Sequence, residues 1–260
     1  MTPLIDTHAH LDMEEFNGDR QEVIERAQQG GVSRIITVGV DLPSSIQAIE
    51  LARSHECIFA TVGCHPHNAD EVFPDTLESL ARLAQDPKVV AWGEIGLDLY
   101  RRRSGPEKQA AVFERQLELA GDIGLPVVIH NREAHREVME ILKRRHARPY
   151  RGVIHCFSGD YSLAVAFIEM GFHISIPGPV TYRNASAIQE VAAEVPIEAL
   201  LLETDAPFLA PVPERGKRNE PLFVRHTARK IAQLRGIDME EVARRTSENA
   251  ERLFGLPPGP

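Results

Sequence analysis

Six residues in this chain could together do metal chemistry: His8, His10, Glu94, His130, His155 and Asp205. Each stands at the end of a short apolar run, in the segments Asp6-Thr-His-Ala-His10, Gly93-Glu-Ile-Gly-Leu-Asp98, Val128-Ile-His-Asn-Arg132, Val153-Ile-His-Cys-Phe157 and Leu202-Glu-Thr-Asp-Ala-Pro207. On a strand, side chains two apart share a face, so His8 and His10 can hold one cation between them. A carboxylate set among Ile, Gly and Leu, as Glu94 is, is rarely buried unless it is paired or bound to metal. Any one of these residues reads equally well as a satisfied core histidine or a structural carboxylate. Together they form a hard-to-borderline donor set suited to Mg, Mn, Zn, Ni or Fe, and metal-assisted hydrolysis is the chemistry such a set serves.

The elements that must position these residues alternate along the chain. Continuous β-branched runs at 4–7, 34–40, 58–63, 89–95, 127–130, 152–156, 173–176 and 200–204 read as parallel strands covered on both faces. Between them lie amphipathic helical segments. One is opened by the capping sequence Asp75-Thr-Leu-Glu78, another starts at Pro106 and stops near Gly124, and Pro221–Phe254 reads as two helices parted near Gly236. Trp92 is expected to pack beneath a helix, on the face away from Glu94. No glycine-rich phosphate loop follows the first strand, which disfavours a doubly wound open sheet. The fold expected is α/β, a single (β/α)8 TIM barrel over residues 1–260, with the functional groups gathered at the strand ends.

Composition narrows the function. Hydrophobic and charged fractions of 43% and 26% are those of an ordinary globular protein. A net charge of -9 argues against a broad basic face for long duplex nucleic acid, but not against a small phosphate pocket. Three cysteines with no CxxC pair make neither a disulfide framework nor a thiolate zinc site. No run is long enough for a membrane span and no signal peptide is visible, so the cytoplasm is the expected location. No obligate protein partner is evident.

Further candidates surround the six. Asp98 and Glu203 could orient ligand imidazoles, because metal-bound His commonly donates its second N–H to a carboxylate. Arg132 shares a face with His130 and could grip a phosphate. Arg215, Lys217, Arg218 and Asn219 form a polar loop after the last strand, a usual place for phosphate binding in barrels, and Arg218 and Asn219 are the substrate-binding candidates there. Arg101–Arg103 read as a solvated charge run, and Lys143–Arg145 as the close of a helix, favourable to its negative C-terminal end. His55, His135, His146, His173 and His226 read as surface or packing residues.

As an ordered set, these motifs resemble the TatD family of metal-dependent deoxyribonucleases in the amidohydrolase superfamily. Gly63-Cys-His-Pro-His67 and Arg215-Gly-Lys-Arg-Asn-Glu-Pro221 extend the match, which covers nearly the whole chain. The resemblance implies two divalent metal ions, with His8, His10, Glu94 and Asp205 on the first, His130 and His155 on the second, and Glu94 bridging. It implies Asp205 and Glu94 as catalytic, His65 as a substrate-phosphate contact, and DNA single strands or ends as substrate, digested from an end. Hydrolysis of another bond on the same site, such as a D-aminoacyl-tRNA ester, and a non-catalytic metal-stabilised scaffold are the alternatives.

Overall fold

The computed structural model describes residues 2–144 and 150–257. The strands are β1 (Leu4–Ala9), β2 (Val32–Val38), β3 (Ile58–Val62), β4 (Val89–Asp98), β5 (Val127–Arg132), β6 (Gly152–Ile154), β7 (Phe172–Ile176) and β8 (Leu200–Leu202). The helices are α1 (Arg20–Gln29), α2 (Leu42–Ser54), α3 (Pro74–Leu83), α4 (Pro106–Ile123), α5 (His135–Arg144), α6 (Tyr161–Glu169), α7 (Ser186–Glu194), α8 (Val224–Arg235) and α9 (Met239–Phe254). Each strand pairs in parallel with the next, in the order β1 to β8. The seam between β8 and β1 is closed just beyond the strand ends. Asp205 N–H donates to His8 O at 2.9 Å, and His10 N–H donates to Ala206 O at 2.8 Å. The result is a (β/α)8 TIM barrel. Among the described residues, no helix is long and apolar enough to cross a membrane.

Two apolar clusters define the faces of the barrel wall. Ile5, Ile36, Phe59, Ala91, Val128, Val153 and Leu201 meet in one cluster with Leu253 and Phe254 of α9. Residues from so many strands can touch one another only inside the barrel. Leu4, Ala9, Ile35, Trp92, Val127, Ile129, Ile154, Leu200 and Leu202 lie in the other cluster, the belt between strands and helices. On β5 and β6 plain alternation from Val128 and Val153 turns His130 and His155 inward. On β1 and β4 it does not suffice. Leu4 and His8 have the same parity, as do Trp92 and Glu94, and regular strands would send each pair to one face. Register shifts between Asp6 and Ala9 and between Trp92 and Ile95 break the alternation. Trp92 therefore stays outward, where its indole N–H donates to Gln116 of α4 at 3.2 Å, while Glu94 faces the interior.

Several element boundaries differ from the sequence reading. Strands β6 and β8 end at Ile154 and Leu202 rather than at Cys156 and Thr204, and the chain then leaves the extended region at Cys156 (φ 47°) and Asp205 (φ 57°). Helix α3 starts at Pro74 with Phe73 as its N-cap, whose backbone N–H donates to the Thr76 hydroxyl at 3.3 Å. The cap therefore lies two residues before the one expected. Arg145 and His146 fall outside the described residues.

Gly96 is required where β4 passes β5. Its φ is +141°, and a Cβ there would lie 2.0 Å from His130 O. Gly96→Ala is expected to cost about 2 kcal/mol or more by overpacking, read as a lower urea midpoint at unchanged m-value. A midpoint equal to that of the parent would contradict this close approach.

Candidate metal centre

The inward side chains of β1, β4, β5 and the ends of β6 and β8 converge on Glu94, which is buried. Its two oxygens face two groups of donors. Oε2 lies 3.4 Å from His8 Nε2 and 3.8 Å from His10 Nε2. Asp205 Oδ1 completes this group, 3.8 and 3.5 Å from the same two nitrogens. Oε1 lies 2.6 Å from His130 Nδ1, 3.0 Å from His155 Nε2 and 3.4 Å from His65 Nε2. The nitrogens of His8 and His10 stand only 3.3 Å apart. Donors about 2.1 Å from one cation lie roughly 3.0–3.4 Å from each other, so this spacing fits a shared metal. All six expected ligands are thus brought together, and His65 joins them.

The outer contacts decide which nitrogen each imidazole offers. His10 Nδ1–H donates to Val38 O at 3.1 Å, which leaves the Nε2 lone pair for a cation. His130 turns Nε2 to Asp98 Oδ2 at 3.3 Å and Nδ1 to Glu94. His155 turns Nδ1 to Glu203 Oε1 at 3.4 Å. Glu203 Oε1 also accepts from Cys156 N–H at 2.6 Å, and Asp98 accepts from His67 Nε2–H at 2.8 Å. His65 differs. Its Nδ1 accepts from His67 N–H at 3.0 Å, so when neutral it carries its proton on Nε2 and faces Glu94 as a donor. Among the described residues all five non-glycine residues with left-handed φ, namely Arg102, Glu133, Cys156, Asp205 and Leu209, lie in the segments after β4, β5, β6 and β8. Backbone strain is concentrated on the rim that carries the site.

The family described as TatD related DNase matches residues 5–255. The chain belongs to the TatD family. A relative from Bacillus subtilis, the uncharacterized metal-dependent hydrolase YabD, is 44% identical over 97% of this chain and 99% of its own length. The 3'-5' ssDNA/RNA exonuclease TatD of Erwinia tasmaniensis is 40% identical over 97% of this chain and all of its own. The crystal structure of YJJV, a TatD homolog from Escherichia coli K12, superposes with a TM-score of 0.92 at 35% identity, covering 98% of each chain. As a TatD-family protein, this chain is a metal-dependent hydrolase acting on ester bonds.

In this TatD-family chain two substrate candidates from the loop after β8 are occupied elsewhere. Arg218 makes a bidentate pair with Asp19, 2.7 Å on each side, and a further contact with Glu220 at 3.1 Å. It holds Asp19 down to about 2. Asn219 is fully buried and donates to Thr204 O and Phe208 O at 2.8 and 2.6 Å. Both side chains pin the loop through these contacts. A residue with no role assigned from the sequence, Asp6, does similar work. Its buried carboxylate accepts from the Thr204 hydroxyl at 2.6 Å and from Thr204 N–H at 2.8 Å, one residue before Asp205. The signal was present: Asp6 follows Leu4 and Ile5 in an apolar strand, as Glu94 does in its own.

Without metal, protons take the place of cations. Burial alone would raise Glu94, but the charge of His155 and the hydrogen bond from His130 hold it well below the usual carboxylate range. Burial likewise opposes protonation of His10, yet Asp205, with Glu94, raises it to about 9. His155 and His130 are also raised against burial, the first by Glu94 and Glu203, the second by Asp98 and Glu94. His65, pushed down to about 4 by burial, is neutral at neutral pH.

Because His10 titrates higher folded than unfolded, its contribution to metal-free stability is full below its ordinary 6.5 and fades as pH rises through about 9. Metal needs the neutral imidazole, so its affinity rises over the same window, roughly tenfold per pH unit for each proton displaced. Thermal melts of chelated and Mn-loaded protein at pH 6.5 and 9 are expected to show a falling chelated Tm and a widening gap. A gap independent of pH would contradict this proton–metal exchange.

Proposed function

We propose that this hydrolase cleaves phosphodiester bonds of single-stranded nucleic acid from a 3′ end, using two divalent cations. The observation that carries the reading is Glu94, whose two oxygens each face a separate set of imidazoles. His8, His10 and Asp205 would hold one cation with Glu94, and His130 and His155 the other. When bound, the cations supply Lewis acidity to the phosphoryl group and lower the pKa of the attacking water. Buried among apolar strands, the imidazoles and Glu94 present their donors already gathered in two sets, which spares reorganisation during the reaction.

Asp205 is the proton acceptor in this scheme. Its side chain is 14% exposed against 3% for Glu94, so it opens toward the mouth, and the neighbouring histidines outweigh burial and keep it ionised. Asp6 and Thr204 fix its backbone. His65 Nε2–H would donate to a non-bridging phosphate oxygen beside the second donor group, with Asp98 and Glu203 orienting His130 and His155. The nucleic-acid substrate and the 3′ direction are supported by the Erwinia relative, and the net charge of -9 suits a strand end entering a metal-neutralised mouth better than a long duplex groove.

A 5′-labelled single-stranded oligonucleotide tests the reading. Chelated protein is expected to be inactive, and added Mg or Mn should restore a ladder that shortens from the 3′ end. His130→Ala should lower kcat about 100-fold, a loss of about 2.7 kcal/mol of transition-state stabilisation. Activity that survives chelation, or internal cuts from the first time point, would overturn it.

A further inference from the structure

Two arginines at the barrel mouth lie over tyrosine rings. Arg132, at the end of β5, sits with its guanidinium carbon 4.3 Å from the ring centroid of Tyr100. Arg215, in the loop after β8, sits 4.2 Å over the ring of Tyr182. Among the described residues, neither guanidinium joins an ion pair or donates a hydrogen bond. The neighbouring cations are different: Lys217 is paired with Glu214 at 2.7 Å, and Arg218 with Asp19 and Glu220. The loop therefore neutralises two of its three cations and leaves Arg215 exposed.

Stacking on a ring orders a guanidinium without using its N–H groups, so the planar fork stays available for a phosphate. Both tyrosines are anchored, one by its hydroxyl and the other by its backbone. Tyr182 O–H donates to Ala210 O at 2.9 Å, across the segments after β7 and β8. Tyr100 N–H donates at 3.0 Å to Asp98, the carboxylate that also faces His130. Arg132 follows His130 by two residues on the inward face of β5. Cys156, next to His155, lies between the two stacks in strand order. In strand order the two stacks thus stand on either side of the β6 end that carries His155.

We propose that Arg132 on Tyr100 and Arg215 on Tyr182 are two clamps that grip separate phosphates of one nucleic-acid strand, so that the site prefers a polynucleotide to a diester with a single phosphate. This rests on the phosphodiester reading above. Arg215 takes the phosphate-binding part expected of Arg218. The stacked geometry also makes lysine a poor substitute, because an ammonium presents neither the plane nor the fork.

The test compares the Mn-loaded enzyme with Arg215→Ala, Arg215→Lys, Tyr182→Phe and Tyr182→Leu. Each is assayed on a single-stranded hexanucleotide and on bis(4-nitrophenyl) phosphate, with thermal melts to verify folding. For Arg215→Ala the ratio of kcat/KM on the hexanucleotide to that on the small diester should fall about tenfold, and the fall should sit in KM. The slope of log KM against log salt should shrink by about 0.7, the value for one single-strand phosphate contact. Arg215→Lys and Tyr182→Leu should lose most of the preference, and Tyr182→Phe, which keeps the ring, should retain it. If the wild type cleaves the hexanucleotide and Arg215→Ala keeps both ratio and slope, the clamps are overturned and the exonuclease reading stands. A wild type that hydrolyses the small diester but neither binds nor cleaves the hexanucleotide overturns both.

Discussion

A carboxylate buried inside a barrel must be neutralised, and much of this molecule follows from how Glu94 meets that requirement. Left alone in an apolar interior, it would take up a proton. Instead, strands β1, β5 and β6 bring imidazoles to its two oxygens, and the end of β8 brings Asp205 to the outer side. Either protons on those imidazoles or cations between them can balance the charge. The same cluster can therefore be stable without metal and poised to take metal up, with the exchange set by pH.

The outer parts of the structure hold this cluster in place. Carboxylates stand behind two of the imidazoles, Asp98 behind His130 Nε2 and Glu203 behind His155 Nδ1, so that each ring turns its other nitrogen to Glu94. Asp6 locks Thr204, and through it the left-handed turn at Asp205, at the seam where the barrel closes. Asn219 and Arg218, with Asp19, fix the loop beyond. These contacts lie outside the set that could touch a metal or a substrate, yet each one limits where a ligand atom can go. Polar groups so deeply buried are costly unless paired, so their pairing and the precision of the site are one constraint seen twice.

Much of this was legible in the sequence. Apolar runs marked the eight strands, and the His or carboxylate residues that end five of them marked the ligand set, because parallel barrels put function at strand ends. His130 and His155 follow from simple alternation. The inward turn of His8, His10 and Glu94 does not, because it depends on register shifts in β1 and β4 that leave no mark in the order of residues. The loop after β8 shows a second limit. Its sequence displays three cations and no way to rank them. Only the fold brings Asp19 across to Arg218 and leaves Arg215 on a tyrosine.

The central claim is that one buried carboxylate is shared between two cations. The most direct measurement is metal content per chain after equilibration with Mn and removal of the excess, in the wild type, His130→Ala and Glu94→Ala. Two equivalents in the wild type, one in His130→Ala and essentially none in Glu94→Ala are expected. A wild type that saturates at one, or a Glu94→Ala protein that retains two, would contradict the shared bridge.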